Sequence, residues 1–172
     1  LLKARNNKSK IKKNNNILIS LGGGDYDEYI LNCIDLLISF KNHFDFILIF
    51  LKGSFKNSTV KKLSKFKFVK IKKDKNSIVT ELQKSKISIL SGGYHKIESN
   101  YLDCNSIFIA TQKHQNVLLH KFHKKTQCDY IKFRNSNFKK LLLKYLTKRF
   151  FKKSLINKLS FNNKYLLNNF FD

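Results

Sequence analysis

The sequence predicts an α/β fold: a parallel sheet with helices on both faces. Two observations carry that prediction. Short apolar runs recur along the chain, bounded by Gly, Ser, Asn or Asp, at the length of buried strands. The intervals between them place apolar residues at helical spacing, and strands alternating with helices imply a parallel sheet covered on both sides. The chain's 172 residues, 42% of them hydrophobic, are enough for one sizeable core.

The elements follow in order. Residues 1–16 are rich in Lys and Asn and read as a linker, with Leu1 and Leu2 closing a preceding element. Ile17 to Leu21 is the first strand, and Gly22-Gly23-Gly24-Asp25 a tight turn with Asp25 as helix N-cap. Tyr29, Ile30, Cys33, Ile34, Leu37 and Ile38 fall at helical spacing. Phe46 to Leu51 is the second strand, broken by Gly53 and Ser54. A short helix over Ser58 to Phe66 and a third strand over Phe68 to Ile71 follow. Asn76 to Lys84 is helical, with Ile78 and Leu82 inward, and Ile87 to Leu90 is the fourth strand. Tyr94 to Cys104 is a helix, Ser106 to Ala110 the fifth strand, and a further helix runs to about Lys124. Tyr130 to Phe133 is the sixth strand. The expected organisation is a linker over 1–16, a Rossmann-like domain over 17–135 and basic C-terminal helices over 136–172.

Composition narrows the classes. The net charge is +24, and all but three of the 35 basic residues are Lys, Arg standing at Arg5, Arg134 and Arg149. The plain account is drift in an AT-rich genome, which fills solvated faces with Lys; the functional account is a surface for a polyanion or an anionic membrane. A nucleic-acid binder more often uses Arg in bidentate contacts on a recognisable module. No such module is present, so nucleic acid is the disfavoured partner. Met is absent, including at position 1, which is expected of a segment of a larger protein or of a chain with a non-standard start. The first sixteen residues lack the apolar core of a signal peptide, and no apolar run approaches the ~20 residues of a membrane span. Cys33, Cys104 and Cys128 form no C-x-x-C spacing and read as free thiols of a reducing, cytoplasmic compartment.

Three loops carry candidate chemistry: 22–25, 91–98 and 111–115. Each follows a strand, and ligands of such sheets bind beyond the carboxyl ends of the strands. In Ser91-Gly92-Gly93-Tyr94-His95, two glycines at a strand-to-helix turn let a backbone approach a phosphate. Glu98 lies one helical turn further on, where a carboxylate can accept from the hydroxyls of a ribose. The plain readings of the same positions are two tight turns, a solvated helix carboxylate and a helix-start Gln115.

The series Ile17 to Asp25, Glu81-Leu82, Ser91-Gly92-Gly93 with Glu98, and then Gln115 resembles the C-terminal half of GT-B nucleotide-sugar enzymes. These include the glycosyltransferase family 28 C-terminal domain, and the pattern is nearest to UDP-sugar hydrolases of pseudaminic acid biosynthesis. Leu1 to Arg5 is similar to the segment that leaves the first domain in that group. The resemblance spans roughly residues 1–120. Gly24 stands where the group has Ser, Tyr94-His95 where it has Ser-Thr, and His114 where it has Asn. It implies that Gly92, Gly93, Tyr94 and His95 surround a diphosphate and Glu98 holds the ribose. It further implies that Gln115 touches sugar or diphosphate, and that Gly22, Gly23, Gly24 and Asp25 face the donor sugar. The implied partners are a UDP-sugar and an N-terminal domain that supplies the catalytic base; no catalytic residue is assigned within this chain.

Other groups carry less. His120 and His123 share a helix face near His114 but lack the further ligand a metal site needs, so neither metal nor cofactor is expected. Asp25, Asp27 and Glu28 read as a first helical turn favoured by the helix dipole. Lys139 to Lys164 interleaves Lys and Arg with Leu, Tyr and Phe. Such a helix either packs its apolar stripe on the sheet or lies on the cytoplasmic side of an anionic membrane. The rival functional classes are a non-catalytic nucleotide-sugar module and a basic membrane- or RNA-binding protein.

Overall fold

A computed structural model describes residues 12–22, 24, 26–51, 56–73 and 78–151. Six parallel strands form one open sheet: β1 (Asn16–Ser20), β2 (Phe46–Leu51), β3 (Val69–Lys73), β4 (Ile87–Ser91), β5 (Ser106–Ile109) and β6 (Asp129–Ile131). Helices α1 (Asp27–Ile38), α2 (Asn57–Leu63), α3 (Val79–Lys84), α4 (His95–Tyr101), α5 (Gln115–Thr126) and α6 (Phe138–Phe150) alternate with them, and a 3-10 turn spans Lys41–His43. The strand order is β3-β2-β1-β4-β5-β6, so the chain is the Rossmann-like α/β fold that its pattern of runs predicts. The sheet reverses its direction of growth between β1 and β4. That is where a crevice opens in folds of this order.

Strand alternation divides the core into two layers. Ile17, Ile19, Ile47, Ile49, Ile87, Ile89, Ile107 and Ile109 point to one face, under α1, Leu63 of α2 and α6. Leu18, Leu48, Phe50, Leu90 and Phe108 point to the other, under Leu82 of α3, Leu102 and Leu119 of α5. β1 is buried throughout because it has a strand on each side and helices on both faces. β3 is an edge strand and carries lysines, which discourage pairing with another chain.

Several boundaries differ from those read in the sequence. α4 ends at Tyr101 rather than Cys104 because Asp103 takes a left-handed conformation (φ 55°). The Asp103 amide then donates to Asn100 O at 3.1 Å and the Cys104 amide to Ser99 O at 2.9 Å, closing the helix as a glycine normally would. β6 stops at Ile131 rather than Phe133. The Phe133 amide turns away to donate to Asn116 Oδ1 at 2.8 Å, and Arg134 is left-handed (φ 48°).

The described part of the basic C-terminal segment belongs to the core. α6 buries Phe138, Leu142 and Leu146 in the same layer as α1, and its end stacks Phe150 on Phe40 at 5.0 Å between ring centroids. Its apolar stripe is therefore taken up by the domain itself, and its exposed residues include Lys139, Lys140, Lys144 and Lys148. Arg149 fastens this helix to the sheet. Its guanidinium donates to Asp129 Oδ2 at 2.6 Å, Tyr145 O at 3.1 Å and Ser106 O at 2.8 Å. Among the described residues no helix is long and apolar enough to cross a membrane.

Candidate functional site

The turns after β1, β4 and β5 come together on the carboxyl edge of three adjacent strands. The first two flank the switch point. Their meeting place is the buried Ser91 hydroxyl, since a Cβ built on Gly22 or on Gly93 would stand 3.8 Å from Ser91 Oγ. Gly22 has φ +95°, which only glycine adopts without strain. Ser20 Oγ, at the end of β1, is buried and has no hydrogen-bond partner among the described residues, an arrangement that costs about 1–3 kcal/mol.

Each expected site residue can be located except Gly23 and Asp25, which lie outside the described residues. Gly24 is exposed beneath the ring of Tyr26: a Cβ there would stand 2.5 Å from Tyr26 Cζ. Gly92 is buried against α5. A Cβ at Gly92 would stand 2.7 Å from Leu119 Cδ1 and 3.2 Å from Gln115 Cβ, so packing against its own fold accounts for that glycine. Gly93 differs, because among the described residues a Cβ there meets only Ser91 Oγ. Tyr94 is exposed (85%) whereas His95, the first residue of α4, is buried (6%). Glu98 is half-buried in the first turn of α4, and its carboxylate makes no hydrogen bond or ion pair among the described residues. Gln115 begins α5 and is buried; its Oε1 accepts from the Thr111 amide at 2.9 Å and from Thr111 Oγ1 at 3.3 Å. The oxygen end is committed to the loop, and the amide nitrogen makes no hydrogen bond among the described residues. His114, exposed before α5, joins none of these contacts.

Contacts that no sequence pattern marks shape the same edge. Tyr26 OH accepts from Gln112 Nε2 at 3.1 Å and ties the first turn to the third. Asp27, buried at the start of α1, accepts the Lys56 amide on Oδ2 at 3.1 Å and so ties the first turn to the loop before α2. Lys96 Nζ donates to Gly92 O and to Gly93 O, both at 3.0 Å. Partial burial lowers the pKa of its ammonium. No sequence signal marked Lys96, since a lysine in a chain this rich in Lys carries no information by identity alone.

The chemical capacity of this edge is donor-rich. It offers amides on a glycine turn, a glutamine amide and a carboxylate one helical turn away. That set suits phosphate oxygens and a ribose diol. Among the described residues, a cleft of about 480 Å³ lies at the amino ends of β5 and β6 and another of about 410 Å³ beside β6. Their walls hold groups already paired with one another: Arg149 with Asp129 in the first, His120 with Tyr130 OH (3.3 Å) and His123 with Cys128 O (2.6 Å) in the second. Among the described residues no three His, Cys, Asp or Glu side chains are grouped to hold a metal. Comparison of the sequence with protein-family models and with curated proteins finds no match in either.

Proposed function

We propose that this chain is the donor-binding half of an enzyme that displaces the sugar of a UDP-sugar at its anomeric carbon. One observation supports the reading above the others: glycine turns flank the switch point of a β3-β2-β1-β4-β5-β6 sheet, with the Gln115 turn beside them. Phosphate oxygens would take the amides around Gly93, and Glu98 would accept from the ribose hydroxyls. The Gln115 amide would donate to the sugar or diphosphate. Catalysis by such a half is electrostatic, because fixed donors stabilise the UDP that leaves. The attacking group is water in a hydrolase and a hydroxyl in a transferase. It is activated by a base outside this chain, in a preceding domain that faces the same edge.

Titration of UDP and of a UDP-sugar by calorimetry tests the reading. Binding tighter than millimolar is expected, and Glu98→Ala should weaken it by roughly 10- to 150-fold, the loss of one charge-assisted hydrogen bond of about 1.5–3 kcal/mol. Absence of UDP binding at millimolar concentration, or a Glu98→Ala protein that binds as the parent does, would remove the proposal.

A further inference from the structure

We infer that Lys96 is a positioning residue: it turns the Gly92 and Gly93 peptides so that two consecutive amides face outward as a cradle for a phosphate oxygen. The inference rests on the nucleotide reading for its ligand, but its geometric half stands alone. The Lys96 ammonium lies 3.0 Å from both carbonyl oxygens of the turn. Both peptides are trans, and in a trans peptide the N–H points opposite to the C=O. The Gly93 and Tyr94 amides therefore both point away from the ammonium. Neither donates to an acceptor among the described residues. Consecutive amides aimed the same way form an anion-binding concavity. Among the described residues, a Cβ at Gly93 would meet only Ser91 Oγ, at 3.8 Å.

The residue type fits the task. A hydroxyl can donate to a single carbonyl and a side-chain amide has two N–H groups but also an acceptor oxygen to satisfy, whereas an ammonium has three N–H groups and no acceptor of its own. It holds both carbonyls, the Gly93 oxygen accepting the Lys96 backbone amide at 3.4 Å as well, and so opposes a turnover of either peptide. A partly buried charge is costly unless hydrogen-bonded, and the carbonyls of the turn provide those bonds. The positive charge also stands behind the cradle, where it favours an anion over a neutral oxygen.

The test uses Lys96→Met and Lys96→Gln, which remove the charge, and Lys96→Arg, which keeps it. Folding of each is checked by circular dichroism, and each is titrated with UDP, inorganic pyrophosphate and uridine. The neutral variants should bind UDP and pyrophosphate at least about tenfold more weakly while keeping their affinity for uridine, and Lys96→Arg should stay within about threefold of the parent. Equal loss of uridine and UDP, no loss at all, or failure of Lys96→Arg to rescue would overturn the assignment. Should the parent bind neither UDP nor pyrophosphate, the nucleotide reading fails separately. The backbone amide shifts of Gly93 and Tyr94 then decide the geometric half. Shifts that move in Lys96→Met and return in Lys96→Arg uphold it, and shifts that stay unchanged in Lys96→Met overturn it.

Discussion

Adding one methyl group to either of two neighbouring glycines should have opposite consequences. In Gly92→Ala the new Cβ would stand 2.7 Å from Leu119 Cδ1 and 2.9 Å from Leu119 Cγ. Leu119 is fully buried between α5 and the sheet, so it has no open direction in which to move. Overpacking of this kind costs about 1–3 kcal/mol. Stiffening the unfolded chain returns about 0.4–1 kcal/mol. The net loss is then on the order of 1.5 kcal/mol, which at 2–4 °C per kcal/mol lowers the melting temperature by roughly 3–6 °C. Gly93→Ala meets nothing closer than 3.8 Å among the described residues and keeps only the gain, so it should melt at the parent temperature or roughly 1–4 °C above it. Its methyl would instead occupy the space beside the outward amides and weaken UDP binding. Thermal unfolding followed by circular dichroism, with a UDP titration of each variant, reads both effects. A Gly92→Ala protein as stable as the parent, or a Gly93→Ala protein destabilised to the same degree, would refute the division of roles.

Two further predictions concern the frame. Arg149→Met removes three hydrogen bonds and leaves Asp129, whose side chain is only 16% exposed, with the solvent-exposed Lys148 at 3.5 Å as its cationic partner, so a loss of about 2–4 kcal/mol and roughly 4–16 °C in melting temperature is expected. Arg149→Lys should recover a minor part, because an ammonium cannot span the acceptors that the guanidinium fork reaches; an Arg149→Lys protein as stable as the parent, measured by urea unfolding, would contradict this. Burial pushes the Cys33 thiol well above the ordinary thiol range. The folded state then keeps a proton that the unfolded state releases above pH ~8.5, so this group's stabilisation is complete below that pH and declines as pH rises. Cys128 and Tyr145 are shifted upward too, chiefly by burial, and act in the same direction, whereas the lowered Lys96 opposes them. Alkylation of the native protein should label Cys104 and Cys128 ahead of Cys33, and equal labelling of Cys33 would show that α1 does not seal it.

The strands were legible because a parallel sheet buried on both faces demands unbroken apolar runs, and Ile17 to Ile19 or Ile87 to Leu90 leave no other placement for such residues. Helix ends were less legible. Asp103 and Gln127 occupy left-handed positions where a sequence reader looks for glycine. The glycine turns were visible as turns, but the reason for each glycine was not. Gly92 answers to Leu119, a residue 27 positions later that no local pattern connects to it. The hydrogen bonds that shape the candidate site, Tyr26 to Gln112 and Lys96 to the turn carbonyls, depend on how separate loops meet on one edge. Of the three arginines, Arg149 shows what composition conceals. It stands where a planar fork bridges α6 to the sheet, a task that lysine drift cannot fill.

Where a nucleotide binds is the deciding question. An amide chemical-shift map of the protein titrated with UDP measures that directly. Shifts concentrated in 22–26, 91–98 and 110–115, at the carboxyl ends of β1, β4 and β5, are the predicted result. Shifts confined to Ser106, Asp129 and Arg149 at the opposite edge, or no shifts at millimolar UDP, would contradict it.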